Sequence, residues 1–225
     1  MKTRSKRYKN SLANKSASES HSISEAIEIL NKFEAAKFDE SVEISISLGV
    51  DPKQSSQAVR GTVNLPHGSG KEVRVLVFTD NPDEAISAGA DYAGLEDLVK
   101  KVKDGWVDFD VALSTTGAMK EVRSVARVLG PRGLMPTPKA GTVTDDLASV
   151  IKEVKSGRVE FKMDKTGAMS VLVGKRSFDS TQLFENSKAA LEAVNAARPE
   201  GFKGKFIKRV HLSSTMSPSL SIESN

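Results

Sequence analysis

The sequence predicts an α+β domain assembled from both ends of the chain, residues 1–66 plus 157–225, with an α/β domain inserted at 67–156. Two observations carry this. Strands that alternate apolar and polar residues stand near both ends, whereas the first strand between them is mostly apolar. Both changes of pattern contain glycine, at Gly68 and Gly70 on one side and Gly157 on the other.

The elements follow in order. Over 22–37, Ile23, Ile27, Leu30 and Phe33 recur at helical spacing, with Ser22 or Ser24 as cap. Over 41–50, Val42, Ile44, Ile46 and Leu48 alternate with Glu43, Ser45 and Ser47. Such a strand has one wet face, so it belongs to an antiparallel or mixed sheet with helices on one side. Residues 65–71 are a Pro/Gly linker. An apolar strand (73–78), a short helix (82–88), a short strand (91–92), a helix (94–103), a strand (109–113) and a helix (117–129) then alternate. A last helix spans 144–155, started by Asp145 and Asp146. This order predicts a small open sheet covered by helices, a three-layer, Rossmann-like unit.

From Gly157 the first style returns. Val159, Phe161 and Met163 alternate, 164–167 turns with Gly167 at positive φ, and Met169, Val171 and Val173 alternate back as a hairpin. A helix (181–197), a strand (206–212) and a serine-rich tail (213–225) complete the chain. Glycine in both connections predicts a hinge at Gly68, Gly70 and Gly157.

Composition narrows the function. The 225 residues carry a net charge of +4 with 28% charged and 5% aromatic residues, so the distribution of charge matters more than its sum. Cysteine is absent, which excludes disulfides and thiolate chemistry. The histidines His21, His67 and His211 are scattered and make no metal site, and no apolar run approaches a membrane span. Residues 1–18 hold Lys2, Arg4, Lys6, Arg7, Lys9 and Lys15 against no acid. That pattern fits a basic arm on a nucleic-acid binder, with an organelle transit peptide as the alternative. An acidic block (Asp80, Asp83, Glu84, Asp91, Glu96, Asp97) repels nucleic acid from one face.

Residues 130–141 (GPRGLMPTPKAG) hold three prolines and three glycines, which makes a stiff loop. From 122 to 144 the only charges are Arg123, Arg127, Arg132 and Lys139. A rigid cationic surface without nucleophile or general base suits a polyanion better than catalysis. Enzyme motifs fail on their own terms. Gly68-Ser69-Gly70-Lys71 lacks the earlier glycine and the following Ser or Thr of a phosphate loop. Asp164-Lys165-Thr166-Gly167 could mimic a phosphorylated aspartate, yet it reads more simply as a turn. No cofactor site is predicted.

Many ordered motifs together resemble the ribosomal protein L-one family of the bacterial large subunit. They are Lys6-Arg7-Tyr8, Lys37-Phe38-Asp39-Glu40-Ser41-Val42-Glu43, Leu48-Gly49-Val50-Asp51-Pro52, Val59-Arg60-Gly61-Thr62-Val63 and Leu65-Pro66-His67-Gly68. The loop at 130–141, Asp164-Lys165-Thr166-Gly167, Pro199-Glu200-Gly201 and Ser214-Thr215-Met216 extend the likeness over almost the whole chain. The resemblance implies a non-enzymatic, cytoplasmic, ribosome-bound protein, a monomer when free. Its implied partners are large-subunit rRNA of the mobile stalk, exit-site tRNA that it helps to release, and its own operon mRNA, whose translation it represses.

Carried over position by position, the main RNA contacts implied are Lys37, Phe38, Ser41, Thr166, Gly167, Thr215, Met216 and Ser217. Arg123, Arg127, Arg132 and Lys139 form a secondary set. The chain departs from the family pattern at Ser217, where glycine is usual, and at Thr137, where asparagine is usual. Ser217 puts a Cβ where the backbone approaches RNA.

Overall fold

In the computed structural model, which describes residues 4–15, 20–52, 54, 57–200 and 202–223, strand β1 (Ser41–Leu48) buries Val42, Ile44, Ile46 and Leu48 and leaves Glu43 and Ser45 exposed. The alternation read from the sequence is therefore the alternation of the sheet. β1 is flanked by antiparallel β7 (Ala168–Lys175) and β8 (Ile207–Ser214), and β9 (Leu220–Ile222) pairs with the far side of β8. Helices α2 (Ile23–Lys32) and α8 (Ser180–Ala196) cover the apolar face with Ala26, Ile27, Leu30, Leu183, Ala190 and Val194. Each such side chain taken fully from water contributes about 1.5–3 kcal/mol when large and less when alanine.

Several expectations are corrected. The first helix stops at Lys32, not at residue 37. No glycine or proline ends it. Instead the Arg176 guanidinium donates to the carbonyls of Leu30 (3.3 Å) and Phe33, satisfying its last turn from another part of the chain. The expected hairpin across 158–173 is not a paired hairpin. β6 (Arg158–Lys162) pairs with β2 (Arg60–Asn64), a strand the sequence reading missed, while β7 pairs with β1. The turn itself stands: Gly167 has φ +80°, and the Asp164 N–H donates to the Ala168 carbonyl (2.8 Å). Beyond it the chain changes sheets. The serine-rich tail supplies β9. The basic arm contains a helix, α1 (Lys6–Ala13), capped by the Ser5 hydroxyl.

Contacts divide the chain into two compact units, 1–70 with 157–225, and 71–156. Residues 67–70 belong with the first unit because α8 holds them. The wholly buried Asn186 accepts the His67 N–H (3.1 Å) and donates to the carbonyls of Gly68 (3.0 Å) and Val173 (2.8 Å). Gly157 has φ +117°, and a Cβ there would lie 2.4 Å from the Gly68 Cα. The two connections thus pass in backbone contact, which only glycine permits.

The second unit centres on β3 (Val75–Phe78), all four residues of which are fully buried. Strands β4 (Tyr92–Gly94) and β5 (Val111–Ser114) pair parallel on either side. Leu76 and Phe78 face a cluster from α4 (Glu96–Lys103), α5 (Met119–Val122) and α6 (Ala126–Leu129). Val75 and Val77 face α3 (Pro82–Ser87) and α7 (Leu147–Ser156). Parallel strands buried on both faces explain the apolar run. The helix expected over 117–129 is broken by a 3-10 turn at Arg123–Val125. The protein is thus a mixed α/β chain, with three sheets among the described residues.

Candidate nucleic-acid interface

Six of the eight main positions meet at one end of β1. Ser41 opens the strand, and Thr215 follows the end of β8 beside it. The Ser41 N–H donates to the Thr215 hydroxyl (3.1 Å), which donates back to the Ser41 carbonyl (3.3 Å). Lys175 Nζ donates to the Ser41 hydroxyl (3.0 Å). The next turn is tied by Ser217, whose hydroxyl accepts the Ser214 N–H (2.9 Å) and donates to the Pro218 carbonyl (3.0 Å). Ser217 therefore turns its polar atom back into its own loop, and no residue there needs positive φ. Lys37 is exposed, and Phe38 and Met216 stand 54% and 50% exposed, unusual for large apolar side chains.

Beneath this rim lies a residue that the sequence reading gave no role. Glu40 is 1% exposed. One carboxylate oxygen accepts the Ala36 N–H (2.7 Å) and faces Arg176 (3.4 Å) and Arg7 (3.5 Å). The other accepts the Ser214 hydroxyl and the Met216 N–H (3.2 Å). Burial alone pushes its pKa up. The hydrogen bonds from Ser214, Ala36 and Met216, with the charge of Arg176, outweigh that and hold it below the usual carboxylate range. One buried anion thus fastens both lips of the rim, the 36–38 loop and the 214–217 turn. A signal existed. Glu40 has the same parity as Val42 and Ile44, so the alternation already placed it on the core side.

Thr166 and Gly167 are not brought to this rim. The Leu48 N–H donates to the Gly167 carbonyl (2.8 Å), which sets both at the opposite end of β1. Seven residues of strand put the two ends roughly 20 Å apart. Thr166 is exposed, but its hydroxyl is engaged by Asp164 (2.7 Å). Those bonds, Thr166 first and then the Ala168 N–H, hold the Asp164 carboxyl below its usual range. A turn-forming carboxylate with this duty is a structural group rather than a nucleophile. Between the two ends the wet face carries Glu43, Ser45, Ser170 and His211. Burial first, then Lys15 and Arg209, depress the His211 pKa below the usual imidazole value.

Of the secondary positions, Arg123, Arg127 and Arg132 are exposed in the second unit, and the Lys139 side chain lies outside the described residues. The loop after Arg132 is stiff as read. The Thr137 N–H donates to the Thr142 hydroxyl (2.8 Å), and the Ser114 N–H donates to the Thr142 carbonyl (3.0 Å). Lys71, weighed as a phosphate ligand, pairs with Asp110 (2.6 Å). Thr79, Asp80, Glu96, Asp97 and Glu121 line a hollow in the second unit whose charge repels nucleic acid. Among the described residues no group of three His, Asp or Glu is arranged to hold a metal, and no helix is long and apolar enough to cross a membrane.

A polar sheet rim that presents cations, hydroxyls and two bare apolar side chains, with Glu40 buried and paired beneath it, is the surface of a binding protein. Comparison with known proteins defines which kind. The model of the ribosomal protein L1p/L10e family matches residues 30–218, and the chain belongs to that family. It is 48% identical to the large ribosomal subunit protein uL1 of Kosmotoga olearia over 225 residues, covering 99% of this chain and 97% of that one. It is 50% identical to uL1 of Protochlamydia amoebophila (97% and 94% covered) and 49% identical to uL1 of Persephonella marina (99% and 95% covered). The protein is not an enzyme, as members of this family are structural.

Proposed function

We propose that the protein is a structural constituent of the large ribosomal subunit that binds large-subunit rRNA through the rim at the start of β1. The observation that carries this is Glu40, whose charge is paired inside the protein with Arg176 and Arg7 while its hydrogen bonds fasten the segments that present Lys37, Phe38, Thr215 and Met216. Folded RNA is recognised by backbone fit, ribose hydroxyls and phosphates, and these side chains offer hydroxyl, flat apolar and cationic contacts. The rRNA is that of the mobile stalk. Thr166 and Gly167 supply a second contact at the far end of β1, and Arg123, Arg127, Arg132 and Lys139 a weaker one on an inserted three-layer, Rossmann-like unit. Gly68, Gly70 and Gly157 form the hinge between the units.

The same reading makes the protein, a monomer when free, cytoplasmic and ribosome-bound when assembled. It assists release of deacylated tRNA from the exit site and represses its own operon mRNA through the rRNA surface. Filter binding of the full chain to a stalk rRNA fragment tests the rim. Thr215→Val removes the hydroxyl that accepts the Ser41 N–H and should weaken binding by about 1–3 kcal/mol. The triple Arg123, Arg127, Arg132→Ala variant should lose less than that. Unchanged affinity for Thr215→Val removes the rim as the main site. Competition between rRNA and leader mRNA decides whether one surface serves both.

A further inference from the structure

We infer that helix α1 is a third wall of the rRNA site, clasped to the rim by Arg7, with Lys6 and Lys9 as its phosphate contacts. This rests on the rim reading above and adds an element to it. Arg7 reaches two groups of the rim: its guanidinium lies 3.5 Å from the Glu40 carboxylate and 3.5 Å from the Met216 carbonyl. That carbonyl is the backbone oxygen of Met216, one of the two residues whose large apolar side chains are exposed at the site. The helix packs by one face. Ser11 is 3% exposed and donates to the Arg7 carbonyl (3.1 Å), while Arg7 and Tyr8 are half-buried. Arg7 and Ser11 are four apart and define the inner face.

Lys6 and Lys9 are three apart, so they share a face turned away from that one. Both are exposed and neither is ion-paired among the described residues. The first turn contains no acid. A solvated lysine face needs no partner to explain it. What points to a polyanion here is position. Arg7 sits between the two lysines in sequence, so their backbone lies within about one helical turn of the residue that bonds the Met216 carbonyl, with their side chains on the outer face of the helix. Among the described residues the only acid that Arg7 meets is the buried Glu40, which projects no charge outward.

The test is a salt titration of the full chain on the stalk rRNA fragment. Removing one phosphate interaction lowers the slope of log K against log salt by about 0.7–0.9. Lys6→Gln with Lys9→Gln should therefore lower it by about 1.4–1.8. Between 50 and 200 mM salt the wild type then loses roughly tenfold more affinity than the variant. Arg7→Met keeps the apolar stem but opens the clasp. In that background the two lysine changes should alter the slope no further. An unchanged slope for the lysine pair overturns the third wall. A lysine effect that persists in full without Arg7 overturns the clasp. Thr215→Val separates the two readings: if it weakens binding while the lysines do nothing, the rim stands and only the role of α1 fails.

Discussion

Replacing Glu40 by glutamine keeps the size and most of the shape, and removes one acceptor and one charge. In the protein every lone-pair direction is in use, with Ala36, Arg176 and Arg7 on one oxygen and Ser214 and Met216 on the other. The amide group must therefore face donors whichever way it is turned. Against Ser214 and Met216 it does least harm, because the hydroxyl can rotate to accept. The Met216 N–H is then left without an acceptor, at about 1–3 kcal/mol. Arg176 and Arg7 keep a neutral acceptor but lose charge assistance, worth roughly 1 kcal/mol more in all. The sum, about 3 kcal/mol, is at the lower edge of what breaking a buried pair costs, and corresponds to roughly a hundredfold in the unfolding constant.

The chain offers a control for this measurement. Its single tryptophan, Trp106, lies in the second unit, packed edge-on against Tyr92 at 4.9 Å. In urea, amide exchange in β1 and β8 should show the destabilisation, while the Trp106 fluorescence transition stays in place. The pH dependence has a definite sign. The folded-state pKa of Glu40 is depressed, so its contribution is present above the unfolded value of about 4.3 and fades as pH falls through the lower folded value. The gap between wild type and Glu40→Gln should therefore be full at pH 7 and close in acid below that range. A destabilisation under about 0.5 kcal/mol, or one equal in both transitions, refutes the role assigned to Glu40.

Two further outcomes follow from single positions. Gly157→Ala combines φ +117° with a Cβ 2.4 Å from the Gly68 Cα, so it should destabilise the chain by about 2–3 kcal/mol in thermal unfolding; a change near zero would mean that the two connections part easily. Glu43 is exposed on the wet face two residues from Ser41, where its carboxylate accepts the Ser170 hydroxyl (2.7 Å). Glu43→Gln should leave rRNA affinity within about twofold, and tightening beyond about fivefold would show that RNA lies directly over it.

What could be read from the sequence was what repeats at short range. The period-two pattern of 41–48 marks β1 and its buried face, and the apolar run of 75–78 marks a strand covered on both sides. What could not be read depends on partners distant in the chain. The end of α2 is made by Arg176, 143 residues beyond Phe33, and nothing near Phe33 announces it. The exchange of pairing after Gly167 is of the same kind. A turn sequence fixes the local bend, but whether the two arms pair with each other depends on β1 and β2, which compete for them. The candidate site was named through resemblance, whereas its buried centre, Glu40, could have been found by extending the alternation one step back from Val42.

That same strand constrains how RNA can engage the molecule. Thr215 and Gly167 lie at opposite ends of β1, roughly 20 Å apart, and residues assigned to one site need not touch one helix of RNA. A single duplex laid along the face would pass over the exposed carboxylate of Glu43, which repels phosphate, and over His211, beside which Lys15 and Arg209 stand. Phosphates gain nothing over Glu43. The favourable groups are at the ends: Lys37, Lys175 and α1 around Thr215, and Lys165 beside Thr166. An RNA that meets both ends must therefore arch over the strand between them or present two separate elements, and a fold with loops satisfies this where a straight helix does not.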